Sequence, residues 1–186
     1  MTNIYFVRHA EPDFNVKCDR TRPLTKKGEQ DTAKVLEFFK DKNIDLLLSS
    51  PYKRAIDTIK PFANYLKKDI ELIEDFRERK IDSCWIDDFE KFSINQWKDF
   101  DYKLSDGESL KEVQTRNIKE LNNVLNKYSN KNIIIGSHGT AISTIINFYD
   151  NSFNYENFKK IRNIMPLVVK FSFNDKNLKS IEFYNI

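Results

Sequence analysis

The chain predicts an α/β layer fold, a three-layer sandwich with a largely parallel central sheet, helices on both faces and a small helical cap insertion. Three observations carry this. Apolar runs of strand length, rich in β-branched and aromatic residues, recur at 4–7, 44–48, 70–73 and 133–135. Stretches with helical spacing separate most of them. Two longer runs, 167–173 and 178–184, flank the polar turn Asn174-Asp175-Lys176-Asn177 and read as a closing hairpin.

Taken in order, the run 4–7 stops abruptly at Arg8-His9. A buried strand that ends in a cation and an imidazole delivers both to one rim of a sheet, and ligands of open α/β sheets bind outside the carboxyl ends of the strands. The stretch 12–22 is polar and irregular, and carries Asn15, Lys17, Arg20 and Arg22. Pro23-Leu24-Thr25 marks a helix entry with Thr25 as N-cap and Gly28-Glu29 in the first turn. Ala33, Leu36 and Phe39, with Val35 and Phe38 beside them, supply its apolar stripe, and the helix ends near Lys42-Asn43.

The strand 44–48 stops at Ser49-Ser50-Pro51. A helix follows through Tyr52, Ala55, Ile59, Phe62 and Leu66, with Arg54 in its first turn. Pro61 lies inside that pattern and is expected to kink or split it. After the strand 70–73 comes the charged run Glu74-Asp75-Phe76-Arg77-Glu78-Arg79-Lys80. Residues 81–106 break the rhythm. Their aromatics, Trp85, Phe89, Phe92, Trp97, Phe100 and Tyr102, read as the small core of an insertion of one or two short helices over the sheet rim, with pocket lining as the alternative. Asp106-Gly107-Glu108-Ser109 opens a long amphipathic helix through Leu110, Val113, Ile118, Leu121 and Leu125 to Tyr128. The strand 133–135 leads through Gly136-Ser137-His138-Gly139 into a helix from Thr140 to about Tyr149. No repeat or low-complexity linker divides the chain, so residues 1–186 are expected to form one domain, with the cap insertion at about 81–106.

Composition narrows the function. The 186 residues carry 31 basic and 28 acidic side chains, a net charge of +3. That balance is not the one-sided basic field of a nucleic-acid binder, although a local anion site remains compatible with it. No apolar stretch reaches the ~20 residues a bilayer span needs, and Met1-Thr2-Asn3 leads straight into a strand with no signal peptide. Cys18 and Cys84 have no metal-type spacing and read as free thiols of a reducing cytoplasm. With only two histidines, a zinc site lacks its usual ligands. Any histidine chemistry must therefore use His9 or His138.

Three strands end comparably. Val7 leads to Arg8-His9, Leu48 leads through Ser49-Ser50-Pro51 to Arg54, and Ile135 leads to Ser137-His138. If the strands are parallel, two arginines, two imidazoles and helix N-termini converge on one rim. Helix N-termini attract anions, and arginine's planar fork matches phosphate oxygens. A phosphoryl group is the natural ligand. With four glycines in the chain and no P-loop pattern, a side-chain nucleophile is expected, and histidine is an accepted one.

Arg8-His9-Ala10-Glu11 with Asn15, Pro23-Leu24-Thr25 with Gly28, Ser49-Ser50-Pro51 with Arg54, Gly107-Glu108-Ser109, and Ser137-His138-Gly139 together resemble the histidine phosphatase superfamily. That group includes cofactor-dependent phosphoglycerate mutases and alpha-ribazole phosphatases, and the likeness is to its phosphatase branch. The resemblance implies that His9 becomes phosphohistidine, that Arg8, Arg54 and His138 clamp the phosphoryl oxygens with Asn15 and Gly139 adding hydrogen bonds, and that Glu78 is the general acid and base. It also implies that a backbone carbonyl fixes the His9 tautomer and that His138 works protonated beside a phosphate dianion. Glu74, Asp75, Asp82 and Glu108 compete with Glu78 for the acid role, and Arg22 and Glu108 are further pocket candidates. The chain departs from the family around the acid, reading Arg79-Lys80-Ile81-Asp82-Ser83-Cys84-Trp85 where Gly-x-Trp-Glu-Gly is common, and it lacks the Phe-x-Gly-Trp stretch of the mutases. The expectation is a cytoplasmic, metal-independent phosphomonoesterase, with no cofactor, acting on a small phosphate ester, with no nucleic acid or membrane partner. The alternatives are a phosphohistidine or phosphoprotein phosphatase, and a phosphate-sensing or protein-binding module without turnover.

Overall fold

A computed structural model gives the architecture; it describes residues 1–83 and 86–186. Cys84 and Trp85, assigned above to a free thiol and to the insertion's aromatic set, lie outside the described residues. In chain order the elements are β1 (Thr2–Arg8), α1 (Lys26–Phe39), β2 (Leu46–Ser49), α2 (Lys53–Leu66), β3 (Glu71–Leu72), a 3-10 turn (Glu74–Phe76), α3 (Phe89–Lys98), α4 (Leu110–Lys127), β4 (Asn132–Ser137), α5 (Gly139–Tyr149), α6 (Tyr155–Ile161), β5 (Leu167–Asn174) and β6 (Asn177–Asn185).

The strands form one sheet in the order β3-β2-β4-β1-β5-β6. β3, β2, β4 and β1 are parallel neighbours. β5 pairs antiparallel with β1, and β6 antiparallel with β5. Alternation along the central strands feeds two separate cores. Ile4, Phe6, Ile133 and Ile135 face α4, α5 and α6, through Leu121, Ile142, Ile145 and Phe158. Tyr5, Val7, Ile134 and Leu47 face α1 and α2, through Val35, Phe39, Ile59 and Phe62. These strands are buried on both faces, as parallel strands under crossover helices are. The three-layer α/β arrangement follows.

Local chemistry sets the helix starts. Thr25 caps α1 by accepting from the Gly28 N–H at 3.0 Å. A Cβ at Gly28 would lie 2.3 Å from the Glu11 carbonyl oxygen. The glycine therefore lets α1 dock directly on the chain just past His9. Ser109 and Glu112 form a capping box at the start of α4.

Several details refine or depart from the expectation. α2 runs through Pro61 without splitting. The carbonyl of Asp57, which loses its helical donor there, lies on a half-exposed face where water can serve it. α6 was not foreseen, because seven residues with Phe158 and Ile161 as their apolar pair are too few to display a period. The predicted strand 70–73 shortens to two exposed residues, and β2 begins two residues later than Ile44. Within the described part of 81–106 there is one helix, α3, and its aromatics divide: Phe92 packs with Tyr102 at 6.0 Å between ring centroids, whereas Trp97 turns to the main core. Trp97 stacks on Phe158 at 5.5 Å between ring centroids and contacts Phe153, so the insertion is docked on the α4–α6 core.

Phe76 ends the 3-10 turn, is fully buried, and meets Phe6 edge to face at 5.7 Å. Replacing it with alanine leaves a cavity beneath the charged run that follows. Phe76→Ala is expected to lower unfolding stability by about 3–5 kcal/mol in urea titration. A loss under about 1 kcal/mol would show that this ring does not anchor the loop to the sheet.

Candidate active site

The carboxyl ends of β1, β2 and β4 meet at one rim, as the parallel reading required. Arg8 is paired with Ser137, and Ser49 with Gly136. The pairing continues past the strand ends: His9 N–H donates to Ser137 O at 3.2 Å and Ser50 N–H to Gly136 O at 2.8 Å. This brings His9 and His138 together, with ring centroids 5.3 Å apart and planes at 61°.

His9 is buried. Its Nδ1 lies 2.7 Å from the Ala10 carbonyl oxygen. A carbonyl can only accept, so Nδ1 carries the proton and Nε2 keeps a lone pair. Ala10 is itself held, its N–H donating to Thr58 Oγ1 at 2.9 Å. Burial above all, and then the charges of Arg54, Arg8 and Arg22, hold the His9 pKa well below the ordinary imidazole value. His138 is fully buried, with Nε2 2.8 Å from Ser50 Oγ and Nδ1 without a hydrogen-bond partner. Burial, followed by Arg54 and His9, pushes its pKa well down too. Both imidazoles are therefore neutral at neutral pH.

The arginines surround this pair. Arg8 Nη1 donates to the carbonyls of Ile161 (2.9 Å) and Ile164 (3.1 Å), while its Nε is buried and unpartnered. Burial lowers its pKa to about 10, so it stays charged at neutral pH. Its guanidinium lies against Gly139, where an added Cβ would sit 3.1 Å from Cζ and from Nε. Arg54 is buried and pairs with Asp19 Oδ1 at 3.1 Å. The same Asp19 oxygen pairs with Arg22 at 2.7 Å, which draws Arg22 into the network.

Glu78 separates itself from its competitors by where it points. Its Oε2 accepts from Thr140 N–H (3.1 Å) and its Oε1 from Ala141 N–H (3.2 Å), at the start of α5. Its charge also supports the protonated forms of Arg8 and Arg54. Glu74 is engaged by Arg20, Asp75 by Arg77, and Asp82 accepts from Ser83 on the surface. Glu108 is committed to Arg116, Arg77 and Lys80 N–H. The structure thus brings together Arg8, His9, Arg54, Glu78, His138 and Gly139. Asn15 is not drawn into the network: it is exposed, and its backbone N–H donates to Asp13 Oδ1. Sequence reasoning assigned no role to Ser50, Asp19, Thr58 or Arg116. Among the described residues no group of His, Cys, Asp or Glu is placed to hold a metal ion, and no helix is long and apolar enough to cross a membrane.

The fold and the rim define a class, α/β enzymes that handle phosphoryl groups with histidine and arginine. The family model of the histidine phosphatase superfamily (branch 1) matches residues 4–185, and the chain belongs to that superfamily. It is 32% identical over 150 residues to the uncharacterized phosphatase PhoE of Bacillus subtilis, covering 78% of this chain and 76% of PhoE. It is 27% identical over 160 residues to a Proteus mirabilis protein named a probable phosphoglycerate mutase, GpmB, covering 78% and 74%. The solved Entamoeba histolytica phosphoserine phosphatase in complex with 3-phosphoglyceric acid superposes with a TM-score of 0.77 at 25% identity, over 97% of this chain and 96% of that one. The protein is a phosphatase of the histidine type.

The neutral imidazoles have a consequence for stability. In the unfolded chain both histidines protonate near pH 6.5, whereas in the folded rim their pKa is depressed. Their contribution is therefore fully present above pH 6.5 and is lost as pH falls toward the folded value. Lowering the pH from 7.5 to 5.5 is expected to cost about 1.4 kcal/mol per histidine in urea unfolding. A His9→Gln, His138→Gln double variant should lose much less over the same interval; an equal loss would show that the imidazoles are not the cause.

Proposed function

We propose that the protein is a metal-independent phosphomonoester hydrolase that works through a phosphohistidine on His9 and acts in the cytoplasm on a small phosphorylated metabolite. The observation that carries this reading is the His9 tautomer. Nδ1–H is committed to the Ala10 carbonyl, so the lone pair on Nε2 is presented inside a ring of cations.

The reaction divides into two displacements. Glu78 takes up a proton from water as the ester binds; then Nε2 of His9 attacks phosphorus, the P–O bond to the alcohol breaks, and the departing oxygen takes that proton from Glu78. Then Glu78, now a carboxylate, removes a proton from water. The water oxygen attacks phosphorus, the P–N bond breaks, and phosphate leaves with His9 neutral again. Arg8 through its unpartnered Nε, Arg54, and His138 through its unpartnered Nδ1 stabilise the equatorial oxygens, where charge is spread in the transition state. A dianion beside His138 favours its protonated form, which turns Nδ1 into a donor. The Gly139 N–H adds a helix-end donor, and Asn15 adds a hydrogen bond when the loop 12–22 closes on the ester.

A small substrate is supported by the relatives. The Entamoeba histolytica phosphoserine phosphatase, at 24–25% identity, was solved with phosphoserine and with 3-phosphoglyceric acid, both small esters. The insertion at about 81–106 serves as a partial cap that selects the leaving group; its helix α3 is tied to the residue after the acid by the hydrogen bond from Arg79 to Gln96.

The test is phosphate release from 4-nitrophenyl phosphate with excess chelator, together with trapping of the phosphoenzyme. Turnover is expected to survive the chelator and to fall about 10⁴-fold or more in His9→Ala. The trapped phosphoenzyme should be labile in acid and stable in alkali. Equal turnover in both proteins would remove His9 as nucleophile. Release from phosphohistidine proteins with none from a panel of small esters would replace the substrate class.

A further inference from the structure

Glu78 stands on an irregular segment between the 3-10 turn and α3, yet a general acid must be held within a fraction of an ångström of its target. The segment is clamped from behind by one buried ion pair. Arg116, on α4, directs Nη1 to the carbonyls of Asp75 (2.7 Å) and Arg77 (2.9 Å), and Nη2 to the carbonyl of Glu78 itself (3.3 Å). Its Nε and Nη2 also form a fork onto the two oxygens of Glu108, at 2.8 and 3.0 Å. Glu108 in turn accepts from Lys80 N–H at 2.9 Å and from Arg77 at 3.0 Å, and its own N–H donates to Lys80 O. The backbone is therefore held on both sides of Glu78. Gly107 permits the approach, since a Cβ there would lie 2.0 Å from the Ile81 carbonyl oxygen.

The arrangement uses arginine for what lysine lacks. One planar guanidinium gathers three backbone carbonyls and a bidentate carboxylate at once. Both side chains are largely buried, at 11% and 17% exposed, so the pair is little screened by solvent. The hydrogen bonds of the two side chains run to the acid's own segment or to each other, and Arg116 reaches the histidines only through its charge, which helps lower the His138 pKa.

We infer that Arg116 and Glu108 are positioning residues for the Glu78 acid, setting the aim of its carboxylate through the 75–80 backbone without touching substrate. The inference rests on the acid role given to Glu78 above. It predicts a defect that depends on the leaving group. An alcohol that departs easily, such as 4-nitrophenol, needs little protonation, whereas an alkyl alcohol needs the acid in place.

The experiment measures kcat/KM, which reports the steps up to departure of the alcohol, on 4-nitrophenyl, phenyl and alkyl phosphates for wild type, Glu78→Gln, Arg116→Lys and Glu108→Gln, with urea stability of each. Glu78→Gln should lose about 100-fold or more on the alkyl ester and far less on the nitrophenyl ester. Arg116→Lys and Glu108→Gln should follow the same slope, losing at least about tenfold more on the alkyl than on the nitrophenyl ester. Glu108→Gln keeps the size and shape of the side chain, so it serves if Arg116→Lys fails to fold. An equal loss across the series in these two variants, or no loss, would overturn the positioning role while a steep Glu78→Gln keeps the acid. A flat Glu78→Gln would remove the acid assignment and the inference with it.

Discussion

In the parallel pair of β1 and β4, Arg8 lies across from Ser137, so the next residue on each strand is a histidine. Everything at the rim depends on that register. A slip of one residue would turn Ile4 and Phe6 from one core to the other and exchange them with Tyr5 and Val7, so the two-sided burial of β1 fixes the register strongly. β2 is brought level by the third glycine. A Cβ at Gly136 would sit 2.7 Å from Ser49 Oγ and 3.1 Å from the Ala55 carbonyl oxygen, so its absence lets β2 and the start of α2 close against β4. Arg54 and Ser50 arrive at the histidines as a consequence of that closeness.

The rim then poses an electrostatic problem. Arg8, Arg22 and Arg54 all lie close enough to act on His9. Desolvating several like charges together is costly, and something must give up a proton or find a counter-charge. The imidazoles yield because their ordinary pKa is lowest, while Arg8, even when lowered to about 10, remains a cation. Asp19 and Glu78 supply part of the negative charge. A neutral, nucleophilic His9 is thus an outcome of burial first and of the cation cluster second. The groups that would bind a phosphate oxygen add to burial in keeping the attacking nitrogen free of a proton.

Much of this was legible in the sequence, and the reasons are local. The strands declare themselves because burial on both faces demands continuous apolar runs, and each run stops where the chemistry starts. Thr25, Ser109 and the hairpin at 174–177 are short-range signals, and they hold. What escaped is what depends on distant partners. Arg116 sits within α4 like any helix-surface cation, and only the return of the 75–80 segment gives it its partners. Asp19 sits among mixed charges in an irregular loop and shows no pattern at all. α6 was lost for want of length, although its last residue, Ile161, and the turn after it, at Ile164, supply the two carbonyls that anchor Arg8.

The start of α5 joins these elements into one reference frame. A helix offers its first N–H groups without internal partners. Here Ile142 N–H closes on the His138 carbonyl, and Glu78 takes the N–H groups of Thr140 and Ala141. That leaves the Gly139 N–H, beside the Arg8 guanidinium. In the proposed reaction the phosphoryl group binds against that remaining donor while the acid holds the two that follow. Acid and phosphorus are then both referred to consecutive residues of one helix, about 1.5 Å apart along its axis. The rigidity that the acid's irregular segment lacks is borrowed from α5 on one side and, on the other, from Arg116 on α4 paired with Glu108 just before that helix. Within the stretch that departs from the common family pattern, Arg79 N–H donates to Glu78 Oε1 at 2.8 Å and Lys80 N–H to Glu108; both are backbone contacts, which other side chains at these two positions would leave in place.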